Sequence, residues 1–236
     1  MTEADTRAPN QVWNAWNSRT REQSVEARSE RHAAMILGWL EAIGRRDLQV
    51  LDCGCGAGWL SARMQPFGQV TAVDLADEVL TRAQARWPAI QFRAGDFFEM
   101  DLPEASFDVV TSLEVLSHVP DQAGYVGKIA RLLKPGGALM MATQNRPVLE
   151  LNKLPPPDGW IRDWVDRDEL RALLAPHFDV VDMTTVEPQA KEGALRWLAA
   201  WRVMSVMNAV TFGGYKAALE HVGLGWSIMC LARKRD

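Results

Sequence analysis

Cysteine is scarce: the chain has three in 236 residues, and two of them, Cys53 and Cys55, stand only two apart. That is a poor basis for a disulfide framework, and the gap is one residue short of a usual redox pair. The pattern fits a reducing, cytoplasmic setting. Zinc usually takes about four ligands, and with no second cysteine pair no metal is expected. Positive charge is not in excess. Lys+Arg number 26 against 30 Asp+Glu, a net −4, which argues against a broad nucleic-acid footprint. A long clean apolar run is missing too. The longest stretch, 194–212, contains Arg196, Arg202 and Asn208, whereas a transmembrane span rarely carries two arginines. The opening MTEADTRAPNQ has no apolar stretch of the secretory kind. Internal repeats and low-complexity segments are absent as well, and the length suits one medium domain with an extension.

What the chain does have is alternation. Residues 1–12 read as irregular. From about Arg19 to Ile43 the pattern is helical, with Gly44 as the stop. Short apolar runs then alternate with helical stretches. Strands are expected at 48–54, 69–76, 90–96, 107–116 and 138–145. Helices are expected at 58–68, 77–87 and about 123–133, and a turn at Lys134–Gly137. Two further strands, 178–188 and 225–234, can pair antiparallel at one edge. Near-continuous apolar strands separated by helices predict an α/β fold with a mostly parallel sheet covered on both faces. The division expected is an N-terminal helical cap over 1–44 and a main domain over 45–236, with an insertion at about 189–222.

The loop VLDCGCGAGWL, Val50 to Leu60, carries the functional question. Gly54, Gly56 and Gly58 stand where a strand turns into a helix. Glycine there allows positive φ and lets backbone approach a ligand closely. Asp52 ends the first strand, and Asp74 ends the second about twenty residues on, where an acid can accept both hydroxyls of a ribose. These residues alone leave a dinucleotide and an adenosyl ligand both open.

VLDCGCGAG resembles the first motif of class I S-adenosylmethionine-dependent methyltransferases. VDLA, AGDFFEMDLPEASFDVV, LEVLSHVPD and LLKPGG follow the same family through about Ala142. EVLSHVPD with TQNRP is similar to the ubiquinone-biosynthesis O-methyltransferases. The resemblance implies a Rossmann-like sheet of seven strands with the last one antiparallel, and S-adenosyl-L-methionine as cofactor. It implies that Asp52 faces the methionine ammonium and that Gly54, Cys55, Gly56 and Gly58 pass beneath the cofactor. Asp74 would take the ribose, Leu75 one face of the adenine, Asp96 its amine, and Phe97 and Leu113 further contacts. A capping role for Asp52 and plain core packing for Phe97 are the plainer readings.

His118, just past the fourth strand, is the candidate base, since histidine titrates near neutrality. A turn role is its alternative, because methyl transfer can proceed by alignment alone. Substrate contacts are expected from Trp16, His118, Asn145, Trp160, Trp197 and Trp201. Trp197, Trp201 and Met204 share one helical face. It reads as a lid over an apolar pocket, a core or partner-binding helix, or, with Arg196 and Arg202, a weak peripheral membrane contact. The expected activity is methylation of a small apolar or aromatic molecule by a monomer or homodimer, on oxygen first, with nitrogen or carbon as the alternative. A nicotinamide-dependent oxidoreductase and a non-catalytic member of the fold are the rivals.

Overall fold

The computed structural model describes residues 9–153, 163–190, 195–198 and 201–235. Two helices, α1 (Pro9–Arg19) and α2 (Ala27–Ile43), precede the sheet. The strands are β1 (Leu48–Cys53), β2 (Gly68–Asp74), β3 (Gln91–Ala94), β4 (Phe107–Leu113), β5 (Leu133–Gln144), β6 (Phe178–Pro188) and β7 (Gly225–Lys234). They lie in the order β3-β2-β1-β4-β5-β7-β6. The first five run parallel, and β7 is antiparallel to both neighbours. The chain therefore winds one way from β1 to β3 and the other way from β4 onward. The crevice at the carboxyl ends of β1 and β4 is where open sheets of this kind bind ligands.

Alternation along the strands builds two cores. Leu51, Cys53, Val110, Met141 and Cys230 face α5 (Gln122–Leu132) and α7 (Arg167–Leu174) through Tyr125, Val126, Ile129, Leu170 and Leu174. Val50, Val109, Met140 and Met229 face the other side, against Ala33, Ile36 and Leu40 of α2 and Leu60 and Met64 of α3 (Trp59–Met64). Ile36 and Leu40 lie one turn apart, so one stripe of α2 is buried. Each fully buried aliphatic side chain contributes roughly 1.5–3 kcal/mol. Helix α4 (Asp77–Arg86) packs beside β3.

The sequence expectations need correction in three places. Residues 9–12 are helical rather than irregular, and the helix expected from about Arg19 begins only at Ala27, after a non-helical break at 20–26 that follows α1. Lys134–Gly137 is not a free turn. Phe107 pairs with Leu133 and Val109 with Ala138, so the glycine pair makes a bulge inside a continuous β5. The insertion between β6 and β7 is helical, as the pattern predicts, with α8 (Leu195–Leu198), α9 (Trp201–Val210) and α10 (Gly214–His221). Only α10 packs closely on β6, while Val206, Val210 and Phe212 stay exposed. The short α6 (Arg146–Leu151) follows β5. No helix among the described residues is long and apolar enough to cross a membrane.

Candidate functional site

The loop after β1 holds three successive left-handed glycines, Gly54, Gly56 and Gly58, with φ of 71°, 54° and 76°. At Gly54 a Cβ would stand 2.2 Å from Val115 Cγ2, so no side chain fits. The amides of Gly54 and Cys55 donate to the Val73 carbonyl at 2.8 and 3.1 Å, pinning the loop to the end of β2. Asp74 then accepts from Gly56 N at 2.8 Å and from Ala76 N at 2.9 Å, one on each oxygen. A carboxylate has about four acceptor positions, so each oxygen keeps capacity for another donor, such as a diol. Burial raises the Asp74 pKa, partly offset by those amides.

Asp52 lies beneath the loop, 2 % exposed. Ser61 donates to it at 2.5 Å and Thr111 at 2.7 Å. Burial pushes its carboxyl up to about 6, with the nearby Asp74 charge adding in the same direction. No cation contributes to that balance, so a cationic group arriving at this point would be strongly favoured. The two thiols of the loop part company: Cys53 packs with Tyr125 in one core and Cys55 in the other. Among the described residues no cluster of His, Cys, Asp and Glu could hold a metal ion.

Leu75, Asp96, Phe97 and Leu113 line the same cavity of about 400 Å³ as Asp52, Asp74 and the glycine loop. Asp96 Oδ1 accepts from Phe98 N at 2.8 Å. The Phe97 ring is committed to packing, edge-on to Tyr125 at 5.2 Å and under Lys128 at 5.1 Å.

The far wall contains residues that sequence reasoning passed over. Glu114 sits just past β4 at φ 59°, a left-handed conformation that costs a non-glycine residue about 1–2 kcal/mol. Ser227 donates to its Oε1 at 2.7 Å. Burial raises its pKa, partly offset by Arg28, Arg21 and His118. His32 of α2 is 1 % exposed. Its Nε2 has no hydrogen-bond partner among the described residues, and Glu114 Oε1 is 3.9 Å away. Burial pushes the imidazole down to about 3, which keeps it neutral. His118 lines the wall too, with Trp13 edge-on at 4.9 Å. Trp16, Arg21, Arg28, Gln144 and Trp226 complete this end. Only a Glu- and Arg-rich helical pattern marked Arg21, Arg28 and His32 in the sequence, and that pattern reads equally well as a solvated face.

Several expected substrate residues stand elsewhere. Asn145 is spent on structure, its amide donating to the carbonyls of Gly223 and Gly225 at 2.9 and 2.7 Å, and it does not line the cavity. Trp197 is 68 % exposed and lies outside the wall, as do the other residues of the insertion whose side chains are described. Trp201 opens α9 on a separate helix from Trp197. Trp160 falls outside the described residues.

With this geometry in place, comparison with known proteins is informative. Residues 51–141 match a family described as a methyltransferase domain. A ubiquinone biosynthesis O-methyltransferase of Paracidovorax citrulli is 44 % identical over 121 residues, covering 47 % of this chain and 50 % of that protein. The chain thus spans about half the length of the curated relatives it matches. Among solved structures, the N-methyltransferase NodS of Bradyrhizobium japonicum, bound to S-adenosyl-L-homocysteine, superposes with TM-score 0.65 at 15 % identity over 96 % of this chain and 98 % of that one. The 1,6-didemethyltoxoflavin-N1-methyltransferase of Burkholderia thailandensis does so with TM-score 0.62 at 23 % identity, over 100 % and 94 %.

Proposed function

We propose that this chain, whose residues 51–141 match a methyltransferase domain family, is a class I S-adenosylmethionine-dependent methyltransferase that methylates a hydroxyl oxygen of a small aromatic or apolar molecule. The observation that carries the reading is the pairing of Asp52 and Asp74 around one glycine loop. Asp52 is a buried carboxylate whose side-chain partners among the described residues are two neutral hydroxyls, Ser61 and Thr111. Asp74 is held by two loop amides with acceptor capacity left over. A pyrophosphate would be repelled by Asp52, whereas an amino acid ammonium would be drawn to it. Support for oxygen as the acceptor comes from the curated O-methyltransferase relatives.

In this reading Asp52 orients the methionine end of S-adenosylmethionine and Asp74 the ribose, while Asp96 takes the adenine amine. Leu75 and Leu113 pack on the base. Gly54, Cys55, Gly56 and Gly58 let backbone run close beneath. The cofactor supplies a methyl group on a positively charged sulfur. The protein's task is to bring the acceptor oxygen in line with it and to exclude water. His118, on the cavity wall beyond β4, takes the hydroxyl proton, and Trp13 and Trp16 of α1 cover the acceptor. Residues up to Gly44 act as the cap.

The test is calorimetry with S-adenosylhomocysteine and NAD, followed by transfer of labelled methyl to a panel of phenols. We expect the adenosyl ligand to bind, NAD not to bind, and label to appear on oxygen. NAD binding without adenosyl binding overturns the cofactor assignment, and label on nitrogen or carbon overturns the acceptor.

A further inference from the structure

At the acceptor end of the cavity two arginines converge on one wall. Arg21 follows α1 and Arg28 opens α2. Each guanidinium lies over an indole, Arg21 over Trp16 at 5.1 Å and Arg28 over Trp226 at 5.0 Å. Stacking of this kind fixes the plane of the fork and leaves its N–H edge available. Arg21 gives one hydrogen bond, to Ser29 Oγ at 2.5 Å, and Arg28 one, to Glu26 Oε2 at 3.2 Å. An arginine has five N–H donors, so most of this donor set is uncommitted among the described residues. The two cations are close enough to disfavour each other. Glu26 lies at the exposed rim. Glu114 already accepts from Ser227, and its carboxylate faces both arginines and His118.

The same wall holds a second open polar group. His32 Nε2 is buried at 1 % exposure, lines the cavity and lacks a hydrogen-bond partner among the described residues. A buried polar atom left unpaired is unfavourable, and a ligand oxygen placed there would satisfy it. The surrounding surface is flat and aromatic: Trp13, Trp16 and Trp226, with Leu149 beside them. Paired guanidiniums match the two oxygens of a carboxylate, and indole faces match a planar ring.

We propose that Arg21 and Arg28 form a carboxylate-binding subsite, with His32 completing it, so that the acceptor is a small aromatic acid whose hydroxyl points away from them, toward His118. This rests on the methyltransferase reading and names the substrate class of that site. Opposing charge at one end and ring stacking along the middle fix the reacting oxygen at the other end. The subsite selects against neutral phenols of the same shape.

The test uses protein saturated with S-adenosylhomocysteine and titrates para-hydroxybenzoate, phenol and phenyl phosphate by calorimetry. The benzoate should bind at least about tenfold tighter than phenol, a difference of about 1.4 kcal/mol. Arg21→Gln and Arg28→Gln should each bring the benzoate toward phenol while leaving S-adenosylhomocysteine affinity unchanged. Arg28→Lys, which keeps the charge but not the fork, should fall between. Equal binding of benzoate and phenol by the wild-type protein, or binding of neither, overturns the subsite without touching the cofactor assignment. A gain for phenyl phosphate alone overturns the carboxylate. A preference that survives in both glutamine variants overturns the role of the arginines. Failure of S-adenosylhomocysteine itself to bind overturns the underlying methyltransferase reading instead.

Discussion

Asp52 offers a pH dependence whose sign and size can be worked out. Its carboxyl ionises near 3.8 when free and at about 6 in the fold, chiefly through burial. Between those values the folded protein holds a proton that the unfolded chain has released. Stability therefore falls as pH rises through that window and is flat above it. Two pH units correspond to about 3 kcal/mol, lost because an anion must be kept in a dry pocket. Cofactor binding should run the opposite way, since only the ionised carboxylate attracts an ammonium group. At about pH 5 roughly one molecule in ten is ionised, so S-adenosylhomocysteine should bind about tenfold more weakly there than above about pH 7. At about pH 6 binding should release about half a proton, visible as a dependence of the measured heat on the buffer's ionisation enthalpy. Asp52→Asn is the control. The Ser61 and Thr111 hydroxyls can each donate or accept, so the amide leaves no orphan, and the variant should fold, bind weakly and lose most of the slope. A flat affinity between about pH 5 and 7.5 in the wild-type protein would refute this reasoning. So would an equal slope in Asp52→Asn, which retains Asp74.

Asp74→Ala should weaken cofactor affinity by about 2–4 kcal/mol. It should also lower the melting temperature, because the Gly56 and Ala76 amides lose their acceptor. An unchanged dissociation constant in folded protein contradicts the role. Gly54→Ala should abolish cofactor binding, since its Cβ meets Val115 and its φ is left-handed. Gly54→Ala with Val115→Ala removes the clash but not the strain of about 1–2 kcal/mol, so calorimetry should find partial recovery. His118→Ala should lower turnover on a neutral phenol by about 10²–10⁴-fold with little change in cofactor affinity. A mutant with full turnover and an unaltered pH–rate profile would remove the residue from catalysis.

The sheet was legible because each buried strand is an apolar run bounded by turn chemistry, and β6 and β7 begin and end where the pattern says. The glycine loop was legible for a related reason: its conformation is a backbone matter, and glycines with flanking acids at fixed spacing record backbone demands locally. Lys134–Gly137 shows the limit, for a turn-like tetrapeptide becomes a bulge when both flanks keep pairing with β4. The acceptor end was not legible. Arg21, Arg28 and His32 look like one side of a polar helix, and only the break at 20–26 and the docking of α2 against α3 and β6 bring them to the cavity. Asn145 and Trp197 fail in the converse way. An asparagine after a strand can cap a turn or touch a ligand with the same atoms, and a tryptophan on a helical stripe does not say which way the stripe faces.

Helix α1 touches both halves of the cavity. Asn14 grips the start of α4, donating to Asp77 at 2.7 Å and accepting from Val79 N at 3.3 Å. Asn17 lies over Gly56, its Oδ1 2.8 Å from where a Cβ would stand. Trp13 meets His118, and Trp16 carries Arg21. Eleven residues near one end of the chain thus line both the proposed cofactor region and the proposed acceptor region. In the proposed reading, a first ligand that orders α1 leaves the second a surface already in place. The two affinities are then linked, and linkage is reciprocal: the factor by which the cofactor tightens the acceptor equals the factor by which the acceptor tightens the cofactor. A closed thermodynamic cycle of four titrations measures that one number, and loosening α1 at Asn14 shrinks it from both sides at once.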